Sequence, residues 1–336
     1  PARALGCDAT GWALRSAKGV ETIAMRIGVL FAAETAELKF AHRLGFRSMQ
    51  WMRFDACPAT ADLTGGASSR ESAFTFAKQF AADAQALGIR ISAIGAYYRN
   101  PLDSKQTDFA KRLWHRAIEV AAHIGVRTVS GFPGAVIESS TNERGGNPVY
   151  YPDEKHLPQL LAFWEPVAAF ARDLGVRIAF EHCPQGAYHL PVMHYNAFGQ
   201  PALWEKLFNA TRCENIGLEW DPSHLICQFI DPVANLKKFG SRVFHVHAKD
   251  ACIDRALLSQ YGICHPGVAE HRFPGLGDAD WAQIIHTLVR VGYDSDLNIE
   301  GWHDPVYRNH PNGPQLEEAG LRIAKAHLAQ FVGNEE

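Results

Sequence analysis

The chain has 336 residues, 33 Lys+Arg against 36 Asp+Glu, a net charge of −3, 47% hydrophobic residues and 16 His. This near-balance carries no electrostatic footprint for a nucleic-acid binder, and no run of about 18 apolar residues is present to span a bilayer. The length suits either two ordinary domains or one large α/β barrel around a single core.

Residues 1–24 show no clear period and are expected to be an N-terminal extension or an expression remnant. The folded domain, 25–336, is expected to begin where Met25 precedes the apolar run Ile27-Gly28-Val29-Leu30-Phe31. No apolar segment opens the chain as a secretory signal would, and the seven Cys contain no C-x-x-C pair. Reduced thiols in a cytoplasm are therefore expected.

One unit then recurs: an amphipathic helix, a Gly, and a short apolar strand. It reads Arg43-Leu44-Gly45-Phe46, Ala86-Leu87-Gly88-Ile89, His123-Ile124-Gly125-Val126, Asp173-Leu174-Gly175-Val176, Lys238-Phe239-Gly240-Ser241 and Arg290-Val291-Gly292-Tyr293. Each Gly stands where a helix would end in a left-handed residue. Eight apolar runs lie near 26–31, 47–53, 89–95, 126–131, 176–181, 215–221, 242–248 and 296–301. Helical stripes fill the gaps, as with Phe109, Leu113, Ala117, Ile118, Ala121 and Ile124. Eight alternating units, with no G-x-G-x-x-G after the first strand, predict a single (β/α)8 TIM barrel. The longest irregular stretches, 132–152 and 250–277, are expected to be loops on the face where barrels keep their active sites.

Barrel chemistry sits at the C-terminal ends of strands. The fifth run ends in Glu181, the sixth in Asp221, the seventh carries His245, His247 and Lys249, and the eighth ends in Glu300. Alternation turns Phe180, Trp220, Val246 and Ile299 toward the helices and leaves the polar residues inward. Glu181, Asp221, His247 and Glu300 then form a ligand set for Mn²⁺, Mg²⁺, Co²⁺ or Zn²⁺, because three carboxylates sharing one mouth repel unless neutralised. The same parity sets Glu219, His245 and Asn298 one layer deeper, either orienting the ligands or forming a self-contained hydrogen-bonded cluster. His182 and His303 flank the ligands, as additional bases or as rim residues holding loops. Trp51, Tyr97, Tyr98 and Trp302 are placed to stack on a sugar ring or simply to pack.

Phe180-Glu181, Asp221-Pro222-Ser223-His224, His245-Val246-His247-Ala248-Lys249-Asp250, Arg272-Phe273-Pro274-Gly275-Leu276-Gly277 and Ile299-Glu300 resemble the xylose-isomerase-like barrels, and within them the sugar phosphate isomerase/epimerase group. The resemblance covers about residues 25–330. It implies one divalent metal, most often Mn²⁺, on Glu181, Asp221, His247 and Glu300, with Glu181 and Glu300 as the acid/base pair. It further implies substrate contacts from His224 and Arg272, to which His182 is added because it follows the first ligand and Trp51 as an aromatic near the mouth. The third and fourth strand ends, Ile94 to Tyr98 and Ser130 to Pro133, lack the extra His ligands of the family's DNA-repair branch.

The expected function is a metal-dependent isomerase or epimerase of a sugar or keto-sugar, acting by proton abstraction beside a carbonyl through an enediolate. The alternatives are a lyase or dehydratase acting by β-elimination on a 3-keto-glycoside or inosose, and a non-catalytic sugar-binding barrel. The expected partner is a small carbohydrate, with no nucleic acid and no membrane. A homo-oligomer is expected, or a heteromer with a second subunit under the lyase reading. No phosphate cradle stands out.

Overall fold

The computed structural model describes residues 25–32, 34–54, 63, 66–97, 99–135, 156–184, 196–311 and 313–332. The proposed extension 1–24, most of the 132–152 loop and Tyr98 lie outside the described residues.

Short apolar segments alternate with amphipathic ones, and the elements follow that alternation. In chain order they are β1 (Arg26–Phe31), α1 (Thr35–Arg43), β2 (Ser48–Trp51), α2 (Ala67–Ala86), β3 (Arg90–Gly95), α3 (Thr107–His123), β4 (Thr128–Gly131), α4 (Leu157–Asp173), β5 (Arg177–Glu181) and α5 (Pro201–Ala210). There follow β6 (Ile216–Trp220), α6 (Pro222–Ile226), α7 (Pro232–Phe239), β7 (Val243–Ala248), β8 (Asp250–Ile253), α8 (Arg255–Tyr261), β9 (Ala269–Arg272), α9 (Trp281–Arg290), β10 (Asp296–Ile299) and α10 (Gly313–Leu328). The strands close into a parallel barrel in the order β1-β10-β7-β6-β5-β4-β3-β2, so all eight expected strands are present and the fold is a (β/α)8 TIM barrel.

The 250–277 stretch departs from the expected irregular loop. β8 and β9 form a separate antiparallel hairpin, with α8 between them. Asp250 anchors it: its carboxylate accepts from the backbone N–H of Ala251, Gly275 and Ala279 and from Trp281 Nε1. The recurrent Gly also has one exception. Gly45, Gly88, Gly125, Gly175 and Gly292 do adopt positive φ, but Gly240 has φ −54° and opens a one-turn 3-10 helix. Its requirement is space, since a Cβ there would lie 2.6 Å from the Val291 side chain.

Two different cores result from the period-2 alternation of the strands. Outward residues pack an apolar, aromatic layer against the helices, with Trp164 between Trp114 (4.8 Å) and Phe180 (4.5 Å). Inward residues fill the barrel with polar groups: Gln50, Ser92, Ser130, Glu219, His245 and Asn298 are all buried. These are satisfied among themselves, as buried polar groups must be. Asn298 Nδ2 donates to Ser92 Oγ (2.8 Å), which lies 3.1 Å from His245 Nε2. No helix among the described residues is long and apolar enough to cross a membrane.

Candidate metal centre

Four strands bring the ligand set together. Glu181 ends β5, Asp221 follows β6, His247 lies in β7 and Glu300 follows β10. One donor atom from each lies within 4.8 Å of all the others. His247 Nδ1 is 3.0 Å from Glu300 Oε2 and 3.6 Å from Glu181 Oε1. Asp221 is fixed by its place at the start of α6, where Oδ1 accepts from Ser223 N (2.8 Å) and Pro222 occupies the first helical position. That leaves Oδ2 for the centre.

The donor set fits a divalent cation. Asp221 Oδ2, His247 Nδ1 and Glu300 Oε2 are buried, face one another and make no well-angled hydrogen bond among the described residues. Oxygen and imidazole donors suit Mn²⁺, Mg²⁺, Co²⁺ or Zn²⁺. A second group, Glu219, His245 and His247, is equally close. It offers no comparable vacancy, because Gln50, His245 and Tyr97 already donate to the Glu219 carboxylate.

Lys249 offsets part of the local negative charge. Lys249 Nζ lies 2.6 Å from Glu300 Oε1. Burial pushes Glu300 up, but Lys249 and His247 outweigh it and hold the carboxyl at about 2. For Asp221 burial is likewise overcome, chiefly by His224, and its carboxyl is held well below the usual range. In the metal-free chain His247 is drawn toward its protonated form, since Glu219, Glu181 and Glu300 outweigh burial.

Of the expected substrate contacts, the structure places His224 at the ligands. Its Nε2 is 3.3 Å from Glu181 Oε1 and 3.2 Å from Asp221 Oδ2. The other three need correction. Trp51 is fully buried on the helix side of β2, against Phe54 (5.3 Å) and Phe80 (5.1 Å), because it is Gln50 that points inward. His182 is fully buried behind the ligands, accepting from Asp221 N (2.9 Å) with its ring 4.8 Å from Trp204. Burial lowers it to about 3, so it is neutral. Arg272 is paired with Glu270, on the opposite face of β9 from His271. His271 is the residue that faces the mouth, its ring 5.1 Å from His224 and 6.1 Å from His303.

Sequence reasoning gave no role to Lys249 or Gln50. The period of two offered a signal for Lys249, which shares parity with His245 and His247. Tyr97, expected either to stack on a sugar ring or to pack, donates its hydroxyl to Glu219 inside the barrel. His303 has φ +71°, an uncommon left-handed conformation for a non-Gly residue, and Asp304 beside it accepts from Phe273, Val306 and Tyr307 N–H.

Comparison with known proteins adds the ancestry. The model of the Xylose isomerase-like TIM barrel family matches residues 38–327. The chain belongs to this family. A Bacillus subtilis (strain 168) relative, the uncharacterised protein YfiH, is 26% identical over 248 residues, covering 69% of this chain and 75% of its own. An inosose dehydratase of Clostridium tetani (strain Massachusetts / E88) is 27% identical over 152 residues, 44% of this chain and 49% of its own length. The solved structure of an IOLI protein with a bound zinc atom superposes with TM-score 0.64 at 17% identity, covering 92% of this chain and all of its own, which shows the shared fold.

Proposed function

We propose that this chain is a divalent-metal-dependent enzyme that removes the proton beside a carbonyl in a polyhydroxylated ketone, as an isomerase or epimerase of a sugar or keto-sugar. The observation that carries the reading is the convergence of Glu181, Asp221, His247 and Glu300, with unmatched donor atoms on three of them. These four residues would hold the ion, Mn²⁺ by the family resemblance, and when bound it supplies Lewis-acid polarisation of a substrate oxygen. Glu181 takes the proton from carbon, with His224 Nε2 at its Oε1 to orient it and share its charge. Such a positioned base contributes about 10²–10⁴-fold.

The rim favours an uncharged substrate. Burial, with Lys249 and His224 nearby, lowers His271 and His303, so both rings are neutral and can donate and accept toward hydroxyls. Two cations on this part of the chain are paired with carboxylates, Arg272 with Glu270 and Lys249 with Glu300. No nucleic acid or membrane enters this reading.

The Lys249 contact also favours a second reading, loss of water by β-elimination, as the inosose dehydratase relative suggests. An epimerase with two acid/base carboxylates needs Glu300 to return a proton, yet its Oε1 faces an ammonium and its Oε2 faces the ligand cluster. Elimination needs one base at carbon, which Glu181 supplies, and the proton it takes up leaves with the departing β-hydroxyl as water. Incubating the manganese-loaded protein with keto-sugars and inososes in D₂O separates the two. Deuterium at one carbon with the mass balance kept marks the isomerase or epimerase, and loss of water with an enone absorbance marks the dehydratase. Full turnover by chelator-stripped protein, or by Glu300→Gln without metal, would sink both.

A further inference from the structure

We infer that Gln50, reaching across the barrel interior from β2, is a positioning residue that fixes His247 as an Nδ1 metal ligand by dictating which of its nitrogens carries the hydrogen. The inference rests on the metal reading above; in the chain of hydrogen bonds from Glu219 to His247 each group leaves the next one choice.

Glu219 comes first. It is fully buried at the barrel axis, where the Tyr97 hydroxyl donates to its Oε2 and His245 Nδ1 lies 2.8 Å from its Oε1. Ringed by donors, its carboxylate oxygens accept. The Gln50 side-chain atom 2.7 Å from Glu219 Oε1 must therefore be the amide nitrogen, which also lies 2.9 Å from Ser130 Oγ. The reverse amide orientation would set two acceptors against each other in a site closed to water.

With Nε2 of Gln50 committed to Glu219, its Oε1 is left facing His247 Nε2 at 2.8 Å. An amide oxygen also only accepts. His247 Nε2 faces a second acceptor as well, Glu219 Oε1 at 3.2 Å. The hydrogen of the neutral ring must then sit on Nε2, and the lone pair falls on Nδ1. That is the atom without a well-angled hydrogen bond, 3.0 Å from Glu300 Oε2 and 3.6 Å from Glu181 Oε1. Gln50 thus acts through His247, and its own side chain is fully buried away from any substrate.

The test uses Zn²⁺ alone as the probe, by isothermal titration of the chelator-stripped full chain, so no substrate needs to be known. Gln50→Met keeps the length and removes both hydrogen bonds; it should weaken Zn²⁺ binding about 10–100-fold, the usual effect of losing a ligand's outer partner. Gln50→Glu alone sets two carboxylates together and should weaken it similarly. The exchange Gln50→Glu with Glu219→Gln restores one donor, one acceptor and the same charge, and should recover most of the affinity. In the zinc-loaded parent, the ¹⁵N shifts of His247 should report a protonated Nε2 and a metal-bound Nδ1. A purely structural role for Gln50 would lower the melting temperature and leave the zinc affinity of the folded chain within twofold, which overturns the inference. So would an exchange variant no better than either single one, or a parent ring bound through Nε2. A parent that binds no divalent ion overturns the metal centre itself and Gln50's role with it. A parent that binds zinc but turns over no sugar or inosose sinks the functional reading and leaves this one standing.

Discussion

Lys249 Nζ lies 2.6 Å from Glu300 Oε1, and the two side chains are only 2% and 11% exposed. A charge pair so shielded from water is costly to break by removing one partner, about 3–5 kcal/mol. Lys249→Met is therefore expected to raise Glu300 from about 2 toward or above the ordinary carboxylate range. Protons would then compete with the cation at higher pH. The acid limb of metal binding moves upward, so that affinity falls off at higher pH in Lys249→Met than in the parent, while Lys249→Arg keeps the parent's profile. Titration calorimetry across pH checks this, and an unmoved limb in Lys249→Met would refute it.

Metal removal should cost stability as well as turnover. Three carboxylates converge with one ammonium among them, so a cation that binds only the folded chain adds about 2.7 kcal/mol at a hundredfold excess over its dissociation constant. The melting temperature should fall on chelation and return with Mn²⁺ or Zn²⁺, in proportion to the logarithm of ion concentration. Coincident melting curves with and without metal would contradict the site.

Trp51 should matter for the fold and not for the substrate. It is fully buried among Phe54, Phe76 and Phe80, so Trp51→Ala should lose about 3–5 kcal/mol in urea unfolding. The KM of the folded fraction should stay within twofold. A large KM increase with intact stability would return Trp51 to the mouth.

His182 sets a pH dependence of stability. Burial lowers it to about 3 in the fold, against an ordinary value of 6.5 unfolded, so below 6.5 the unfolded chain binds the extra proton. Its contribution is complete above pH 6.5 and is lost as pH falls toward 3, at about 1.4 kcal/mol per unit. Between pH 6.5 and 5 the parent should lose about 2 kcal/mol that His182→Gln does not, measured as the difference in unfolding free energy.

His303 offers a contrast between strain and use. Its φ of +71° costs an L-residue about 1–2 kcal/mol, and Gly pays little of that. His303→Gly should leave the fold as stable as the parent or up to about 1 kcal/mol more so, while raising KM for the substrate. An unchanged KM would make His303 a rim residue only.

The fold and the convergence of Glu181, Asp221, His247 and Glu300 were legible because each rests on a local pattern: eight helix–strand units, and a chemistry-bearing residue at each of four successive strand ends. The failures have equally local causes. β2, Ser48-Met49-Gln50-Trp51, is buried on both faces, yet its polar/apolar alternation already sets Gln50 inward and Trp51 outward; Trp51 was placed near the mouth by its aromatic ring and not by its parity. β9 is short and half-buried throughout, which hid both the hairpin and the fact that His271 and Arg272 point opposite ways. Gln50's role was invisible for another reason. It depends on Glu219 and His247, 169 and 197 residues distant along the chain, and only barrel closure brings the three together.

The separation of the two cores has a consequence for how such a chain could change its chemistry. Cohesion resides in the aromatic shell between strands and helices, where Trp114, Trp164, Trp204 and Trp220 are fully buried. The interior instead specifies hydrogen positions: a donor at one point, an acceptor at the next. Single replacements inside the barrel therefore break a sentence rather than a wall. New ligand sets would be reached by paired exchanges along the axis, with the shell left untouched to keep every intermediate folded.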